Sequence, residues 1–298
     1  MKQFILTNIP TSYDGFQKLL RLKDALESAI EEDQKNFFFD MSQITWFEGH
    51  ICACLGGLLK YYKNYKGLSI YTELDQIAPK VRSFLSKNGF LSLFGQDRTV
   101  DIYETTIEFK GHNIKKSDDF KDYITKYFSQ NSRGLPDMTP ILLKYFRRSL
   151  YEIYLNAVEH AETQRDVFSC GQFFQKKKRL YFCLTDFGIG IKENIIKKIN
   201  LTLEPEKAIH WAMQAHNTTR KGKKPGGLGL KLLKEFIIHN EGMIVIVSDA
   251  GYWELKNGQV TMKHFDSSFP GTVVLIEINT ADTKSYRLKS DINPNDIF

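Results

Sequence analysis

Three short motifs, each joining an apolar segment to polar residues or glycines, follow one another in the second half of the chain. They are EIYLNAVEHA at 152–161, DFGIGI at 186–191 and GGLGL at 226–230. Apolar residues recur at helical spacing through 141–158, which predicts that the first motif closes an amphipathic helix. The second follows a predicted strand and the third opens a predicted helix. A fold for this chain must therefore place polar groups or glycines at the ends of three secondary-structure elements.

The first motif carries Glu152 and Asn156, four residues apart. On a helix this spacing puts both side chains on one face, so that one pocket can use both. An amide oxygen is a suitable ligand for Mg²⁺, and a neighbouring carboxylate can orient or deprotonate an attacking hydroxyl. The alternative for the pair alone is a solvated Glu and Asn on a surface helix.

The second motif ends a predicted β-hairpin. Its arms are Phe173–Phe174 and LYFCL at 180–184, and the basic run QKKKR at 175–179 forms its turn. The hairpin delivers Asp186, whose carboxylate can accept a hydrogen bond from an exocyclic amine of a base. The catalytic loop and glycine-rich strand pair of protein kinases do not accompany this DFG. A tight structural turn is the alternative.

The third motif lies in KKPGGLGL at 223–230. Glycines at a helix start leave backbone N–H groups free to meet phosphate oxygens, assisted by the helix dipole. The spacing fits neither a Walker loop nor a Rossmann fingerprint, since Gly-Lys-Ser/Thr is missing and no strand runs into the glycines. A flexible glycine turn explains the motif equally well when it is taken alone.

Taken in this order, the motifs resemble those of the GHKL (Bergerat-fold) ATPase superfamily, and among its members most resemble the anti-sigma-factor serine kinases. FPGTVVL at 269–275 is similar to the family's final strand, and the resemblance covers roughly residues 99–280. It implies a catalytic carboxylate at Glu152, a Mg²⁺ ligand at Asn156, adenine contacts at Asp186, Gly188, Gly190 and Thr272, and a triphosphate cradle at Gly226, Gly227, Leu228, Gly229 and Leu230.

The resemblance implies ATP and Mg²⁺ as cofactors of a regulatory switch protein. Its activity would be ATP hydrolysis or phosphoryl transfer to a Ser or Thr of a partner protein, such as a STAS or sigma-factor-like regulator. The same carboxylate can serve water or a hydroxyl acceptor, so the sequence leaves ATPase and kinase open. A non-hydrolysing ATP-binding interaction module is a further alternative, and a homodimer is also open.

The first ninety-five residues alternate short apolar runs with helical patterns, which predicts an α/β layer with parallel strands. FFDMSQITWFE at 38–48 and FLSKNGF at 84–90 resemble the STAS domain of anti-sigma-factor antagonists. Those antagonists present a phosphorylatable Ser where this chain has Glu48, Gly49 and His50, so the usual phospho-switch is not expected. The segment is interpreted as a docking or sensing domain.

The expected fold is therefore α/β in the broad α+β sense. A STAS-like α/β domain at 1–95 precedes a Bergerat-fold α/β sandwich at 99–280, whose helical layer covers a mixed, largely antiparallel sheet. A polar and loose tail is expected at 281–298.

Cysteine usage and charge give further expectations. The four cysteines lack zinc-site spacing, and Cys170 and Cys183 lie on opposite arms of the predicted hairpin. No signal peptide or long apolar run appears, so we expect a cytoplasmic protein without membrane association. The net charge of +6 arises from dispersed lysines, and no specific nucleic-acid partner is expected.

Overall fold

The N-terminal part of the chain forms a small parallel sheet with helices. The computed structural model describes residues 2–130, 132, 135–160, 165–214, 217 and 228–286. β2 is the central strand and pairs in parallel with both its neighbours. The elements of this part are β1 (Lys2–Ile5), α1 (Tyr13–Glu31), β2 (Asn36–Asp40), α2 (Cys52–Lys66), β3 (Ser69–Tyr71) and α3 (Pro79–Lys87).

The C-terminal part forms a five-stranded sheet in the order β4-β5-β6-β8-β7, and each pairing between neighbouring strands is antiparallel. The mixed α/β fold expected from the sequence is confirmed. Its elements are β4 (Thr106–His112), α4 (Ser117–Tyr127), α5 (Pro140–His160), β5 (Val167–Phe174), β6 (Arg179–Asp186), α6 (Gly190–Ile199), α7 (Pro205–Ala212), α8 (Leu228–His239), β7 (Met243–Lys256) and β8 (Gln259–Asn279).

Both faces of the five-stranded sheet are covered. Successive side chains of a strand point to opposite faces, and β6 is apolar at both sets of positions. Phe182 and Leu184 belong to a core that also contains apolar residues of α4, α5 and α8. Tyr181 and Cys183 belong to a second core, shared with α1, α2 and the parallel sheet. The N-terminal segment and this sheet face are therefore joined by one continuous apolar core.

Helix α2 lies between the two sheets. Residues 51–59 are all buried, which is typical of a helix with protein on every side. Its contacts include β3 on one side and β4, β5 and β6 on the other. A Cβ on Gly57 would lie 2.6 Å from Cε2 of Phe187, so the missing side chain allows the helix to approach the sheet closely.

All four cysteines meet where α2 contacts the sheet, as free and buried thiols. Cys170 and Cys183 are register partners on β5 and β6, which confirms that they face each other across the hairpin. The Asn88 amide donates to Cys52 Sγ at 3.2 Å, and Cys170 Sγ donates to the Gly49 carbonyl oxygen at 3.1 Å. Burial raises the pKa of Cys52 and Cys183, which keeps these thiols protonated and unreactive.

The expectation of a loose tail fails at its first residues. Tyr286 forms a bridge to Met138, and its backbone exchanges hydrogen bonds with Asp137 and Thr139. The Tyr286 ring also packs edge-on against Phe236 at a centroid distance of 5.2 Å. Composition alone does not predict this attachment, because it depends on contacts between segments that are far apart in the chain. Residues 287–298 lie outside the described part of the chain.

Within the described ranges, no helix combines the length and the apolar character needed to cross a bilayer.

Candidate functional site

Three polar side chains form a row across the C-terminal sheet. Asp186 on β6 is the register partner of Thr272 on β8, and Thr272 is the partner of Ser248 on β7. Counting alternate residues along each strand places all three on the sheet face that carries α5 and α8. The row lies at the end of the apolar sheet face, next to the apolar residues Leu184, Val274 and Ile246. Two of its members, Asp186 and Thr272, were predicted to lie together, and they do.

The Asp186 carboxyl is the buried acid of this row, with a residue exposure of 5%. Burial raises the pKa of this carboxyl to about 7. The backbone N–H groups of Gly188 and Thr272 have the opposite effect, because they favour the charged form. The Gly188 N–H donates to Oδ1 at 2.9 Å. No ion pair to Asp186 is found in the described part of the chain. A buried acid with a strongly raised pKa at a strand end is typical of a functional site.

Ser248 completes the row and was missed in the sequence. Its Oγ lies 3.0 Å from Thr272 Oγ1 and 3.1 Å from the Gly271 carbonyl oxygen, and it accepts the Ile191 N–H at 2.9 Å. It therefore ties the loop after Asp186 to the far edge of the sheet. The signal for it was a Ser directly after the apolar run MIVIV of a buried strand, at a position that faces the helices.

Backbone conformation and close packing explain why glycines occur near this row. Gly271 has φ +138°, a backbone conformation that side chains rarely adopt, and a Cβ there would collide with the Asp186 carbonyl oxygen. Gly190 is the first residue of α6, with φ +77°, and a Cβ there would lie 3.0 Å from Ser248 Oγ. Close packing of the backbone around Asp186 thus accounts for both. Gly188 contributes the N–H that holds the carboxyl.

Glu152 and Asn156 lie on α5 one turn apart, as the helical spacing predicted. Both residues are half-buried. The Glu152 carboxylate is only 15% exposed, and its Oε1 lies 3.4 Å from Arg148 Nε. Helix α5 packs on the same sheet face to which Asp186 belongs. The two carboxyl groups of the predicted site are therefore on one side of the sheet, on different elements.

The predicted phosphate motif lies partly outside the described residues. Gly226 and Gly227 fall in the undescribed range 218–227, whereas Leu228, Gly229 and Leu230 form the first turn of α8. This helix start agrees with the prediction. Helix α8 packs beside α5, with the Phe146 and Phe236 rings 5.6 Å apart. The first backbone N–H groups of a helix have no acceptor within the helix, and an anion can use such groups.

A metal held by protein groups alone does not fit the described residues, because no group of three or more His, Cys, Asp or Glu side chains among them could hold one. Mg²⁺ usually takes few protein ligands and completes its shell with water and phosphate oxygens. Asn156 on α5 carries a half-buried amide, a group of the kind that Mg²⁺ accepts as one of its few protein ligands. The Asp186 carboxyl fits an amine donor, since no basic side chain among the described residues pairs with it.

The Glu48–His50 segment is covered by the C-terminal sheet. His50 is fully buried, and its ring stacks on Tyr181 at 4.4 Å, with Nε2 at 2.6 Å from Thr11 Oγ1. Burial, together with a smaller contribution from the charge of Lys177, lowers the His50 pKa to about 3. Glu48 is buried as well, near Lys177 Nζ at 3.5 Å. The buried imidazole is therefore neutral and inaccessible from solvent.

No protein-family model matches this chain, and no curated protein matches it in sequence.

Proposed function

We propose that this protein is an ATP·Mg²⁺-binding regulatory switch of the GHKL type, resembling the anti-sigma-factor serine kinases. The observation that carries the proposal is the buried Asp186 carboxyl, held by the Gly188 and Thr272 N–H groups on the sheet face covered by α5 and α8. The order of motifs along the chain supplies the family resemblance. In this proposal the C-terminal part is the Bergerat-fold domain and the N-terminal part is STAS-like.

Adenine recognition is assigned to the polar row. The ionised Asp186 carboxylate accepts from the exocyclic amine of adenine, whereas guanine presents a carbonyl at the equivalent position and is repelled. Thr272 supports the carboxylate from the neighbouring strand. Ser248 fixes Thr272 and the Ile191 backbone, so it keeps the row in register without touching the base.

Catalysis is assigned to α5. Glu152 orients the attacking oxygen, and Asn156 holds Mg²⁺, which neutralises phosphate charge when it is bound. Gly226, Gly227 and Gly229, with the backbone of Leu228 and Leu230, receive the phosphates at the start of α8. Transfer to water gives an ATPase, and transfer to a hydroxyl gives a serine/threonine protein kinase whose substrate is a partner protein such as a STAS or sigma-factor-like regulator.

A non-hydrolysing ATP-binding interaction module is the second candidate. The contact between Arg148 and Glu152 favours it, because the carboxylate is already engaged by another group and must be released before it can orient an attacking hydroxyl. Replacing Arg148 with Ala tests this point. Turnover that rises in Arg148→Ala would show that the pair restrains catalysis, whereas an absence of turnover in both proteins would support the binding module.

The cellular setting is proposed from the thiols. Four free, buried cysteines fit a reducing compartment, so we propose the cytoplasm. We also propose that the protein binds neither membranes nor specific nucleic acids. Lys177 of the β5–β6 turn contacts the N-terminal segment, since its Nζ lies 4.4 Å from the centroid of the Trp46 ring. A homodimer is compatible with the proposal and is measured directly by sedimentation.

The deciding experiment uses ATP labelled at the γ-phosphate, with Mg²⁺, on the purified full chain alone and with candidate partner proteins. Labelled protein supports kinase activity, free phosphate supports ATPase activity, and binding without either supports the interaction module. Glu152→Gln is the matched variant and is expected to lose turnover while calorimetry still detects nucleotide. If wild-type protein with Mg²⁺ gives no binding heat with ATP, the proposal is wrong.

A further inference from the structure

We infer that helix α2 controls the affinity of the Asp186 pocket for adenine nucleotide from within the same chain, with Tyr61 as a positioning residue. This inference rests on the proposed function and adds its regulation. It assigns to the N-terminal segment a direct mechanical connection to the pocket, through the residue that follows Asp186 in the chain.

Asp186 and Phe187 are consecutive residues on opposite faces of the sheet. Asp186 belongs to the face under α5 and α8, and Phe187 belongs to the core that contains α2. The Phe187 side chain is 1% exposed. Its ring stacks on Tyr61 of α2 at a centroid distance of 5.3 Å, with an interplanar angle of 15°. A shift of Phe187 must therefore turn the peptide that carries the Asp186 carboxyl.

Helix α2 and the Phe187 ring are closely packed. Gly57, one turn before Tyr61, lies so close that a Cβ would be 2.6 Å from Phe187 Cε2 and 2.9 Å from Phe168 Cδ2. The Phe187 ring also packs against the rings of Phe168 and Phe269, at centroid distances of 6.0 and 5.7 Å. Because the ring is closely packed among these neighbours, movement of α2 is transmitted to it.

The same helix also holds the main chain of Phe187. Arg165 Nη1 donates to the Phe187 carbonyl oxygen at 2.5 Å. The Arg165 guanidinium carbon lies 4.8 Å from the Tyr61 ring centroid and 5.2 Å from that of Tyr65. Cation–π attraction thus ties the arginine to α2. Tyr61 consequently contacts both the ring of Phe187 and the group that fixes its carbonyl.

The end of α2 is accessible from solvent. Tyr65 is 52% exposed, one turn beyond Tyr61 and against the same arginine. A protein that contacts this end can displace α2 without entering the pocket. Linkage then requires the reverse effect, in which bound nucleotide stabilises the contact between α2 and the sheet.

The first measurement is calorimetric titration of the full chain with non-hydrolysable ATP and GTP analogues in the presence of Mg²⁺. We expect Tyr61→Ala to raise the Kd for the ATP analogue about tenfold and to reduce discrimination against GTP, because Asp186 reads the amine. Tyr61→Phe keeps the ring and should restore both values. Tyr71→Ala removes a 53% exposed tyrosine on β3 and should leave them unchanged.

A purely structural role for Tyr61 would lower the binding stoichiometry of Tyr61→Ala while preserving the Kd ratio between the two analogues. That outcome, or equal Kd values in wild type and Tyr61→Ala, overturns the inference and leaves the proposed function intact. Wild-type protein that binds neither analogue overturns both.

The second measurement needs no variant and covers a Tyr61→Ala protein that fails to fold. All four cysteines are buried where α2 contacts the sheet, and they become reactive when this contact opens. Labelling of the wild type with a disulfide reagent such as Ellman's should slow about tenfold when the ATP analogue and Mg²⁺ are present at saturation. An unchanged labelling rate, in a protein that calorimetry shows to be saturated, contradicts the inference.

Discussion

Replacing Asp186 with Asn shows how much the buried, ionisable carboxyl group lowers the free energy of unfolding, separately from its proposed role in binding. In the folded protein burial raises the pKa of this carboxyl from 3.8 to about 7. The unfolded chain ionises it near the ordinary value, so wild-type stability falls as the pH rises from about 4 to about 7 and stays low above that. Asn cannot ionise, and it keeps one oxygen to accept the Gly188 N–H. The variant should therefore lack this loss of stability.

The shift of roughly three units corresponds to about 4 kcal/mol as an upper limit, at about 1.4 kcal/mol per unit. Between pH 5 and pH 8 the wild type should lose about 2.5 kcal/mol relative to Asp186→Asn. Urea unfolding of both proteins at these two values measures the difference, and constant offsets from the substitution cancel. A difference in unfolding free energy that does not change with pH would refute the reasoning.

Four further expectations follow from the same structure. Binding of an ATP analogue should be about tenfold weaker at pH 6 than at pH 8 in the wild type, since only about a tenth of Asp186 is ionised one unit below its pKa, and titration calorimetry measures this. Gly57→Ala should lower the free energy of unfolding by about 1–3 kcal/mol through overpacking against Phe187, as seen by urea unfolding; an unchanged value would contradict the tight contact. Asn240→Ala should cost about 1–3 kcal/mol in the same assay, because the buried side chain bonds both the N–H and the carbonyl of Asn279. Burial lowers the pKa of His112 to about 3, so His112→Asn should lose less stability than the wild type when the pH falls from 6.5 to 4, and equal losses would contradict a buried neutral imidazole.

Local patterns predicted much of the secondary structure. The helical spacing at 141–158 corresponds to α5, and the basic turn at 175–178 joins β5 to β6. Both depend on neighbours in sequence, which is why periodicity and turn composition were sufficient. Asp186 and Thr272 were singled out through the family resemblance, and the register of β6 with β8 places them side by side.

Other features depend on contacts between distant segments. Ser248 in isolation is one serine after an apolar run, and its role appears only when β7 pairs with β8. The position of α2 between two sheets was not predicted, although LYFCL at 180–184 is apolar at both odd and even positions and so already required cover on both faces. Sequence does not say which segment supplies that cover. The meeting of all four cysteines has the same origin.

The shared core of the N-terminal segment and the sheet has a consequence for dissecting this protein. A fragment beginning near residue 96 would expose Tyr181, Cys183, Val245, Val273 and Leu275 to water, all of which are at most 7% exposed in the full chain. A broad apolar strand surface of this kind invites self-association. The boundary suggested by the motifs is thus no place to cut the chain, and any exchange of the N-terminal segment during evolution would have to carry over a matching sheet face.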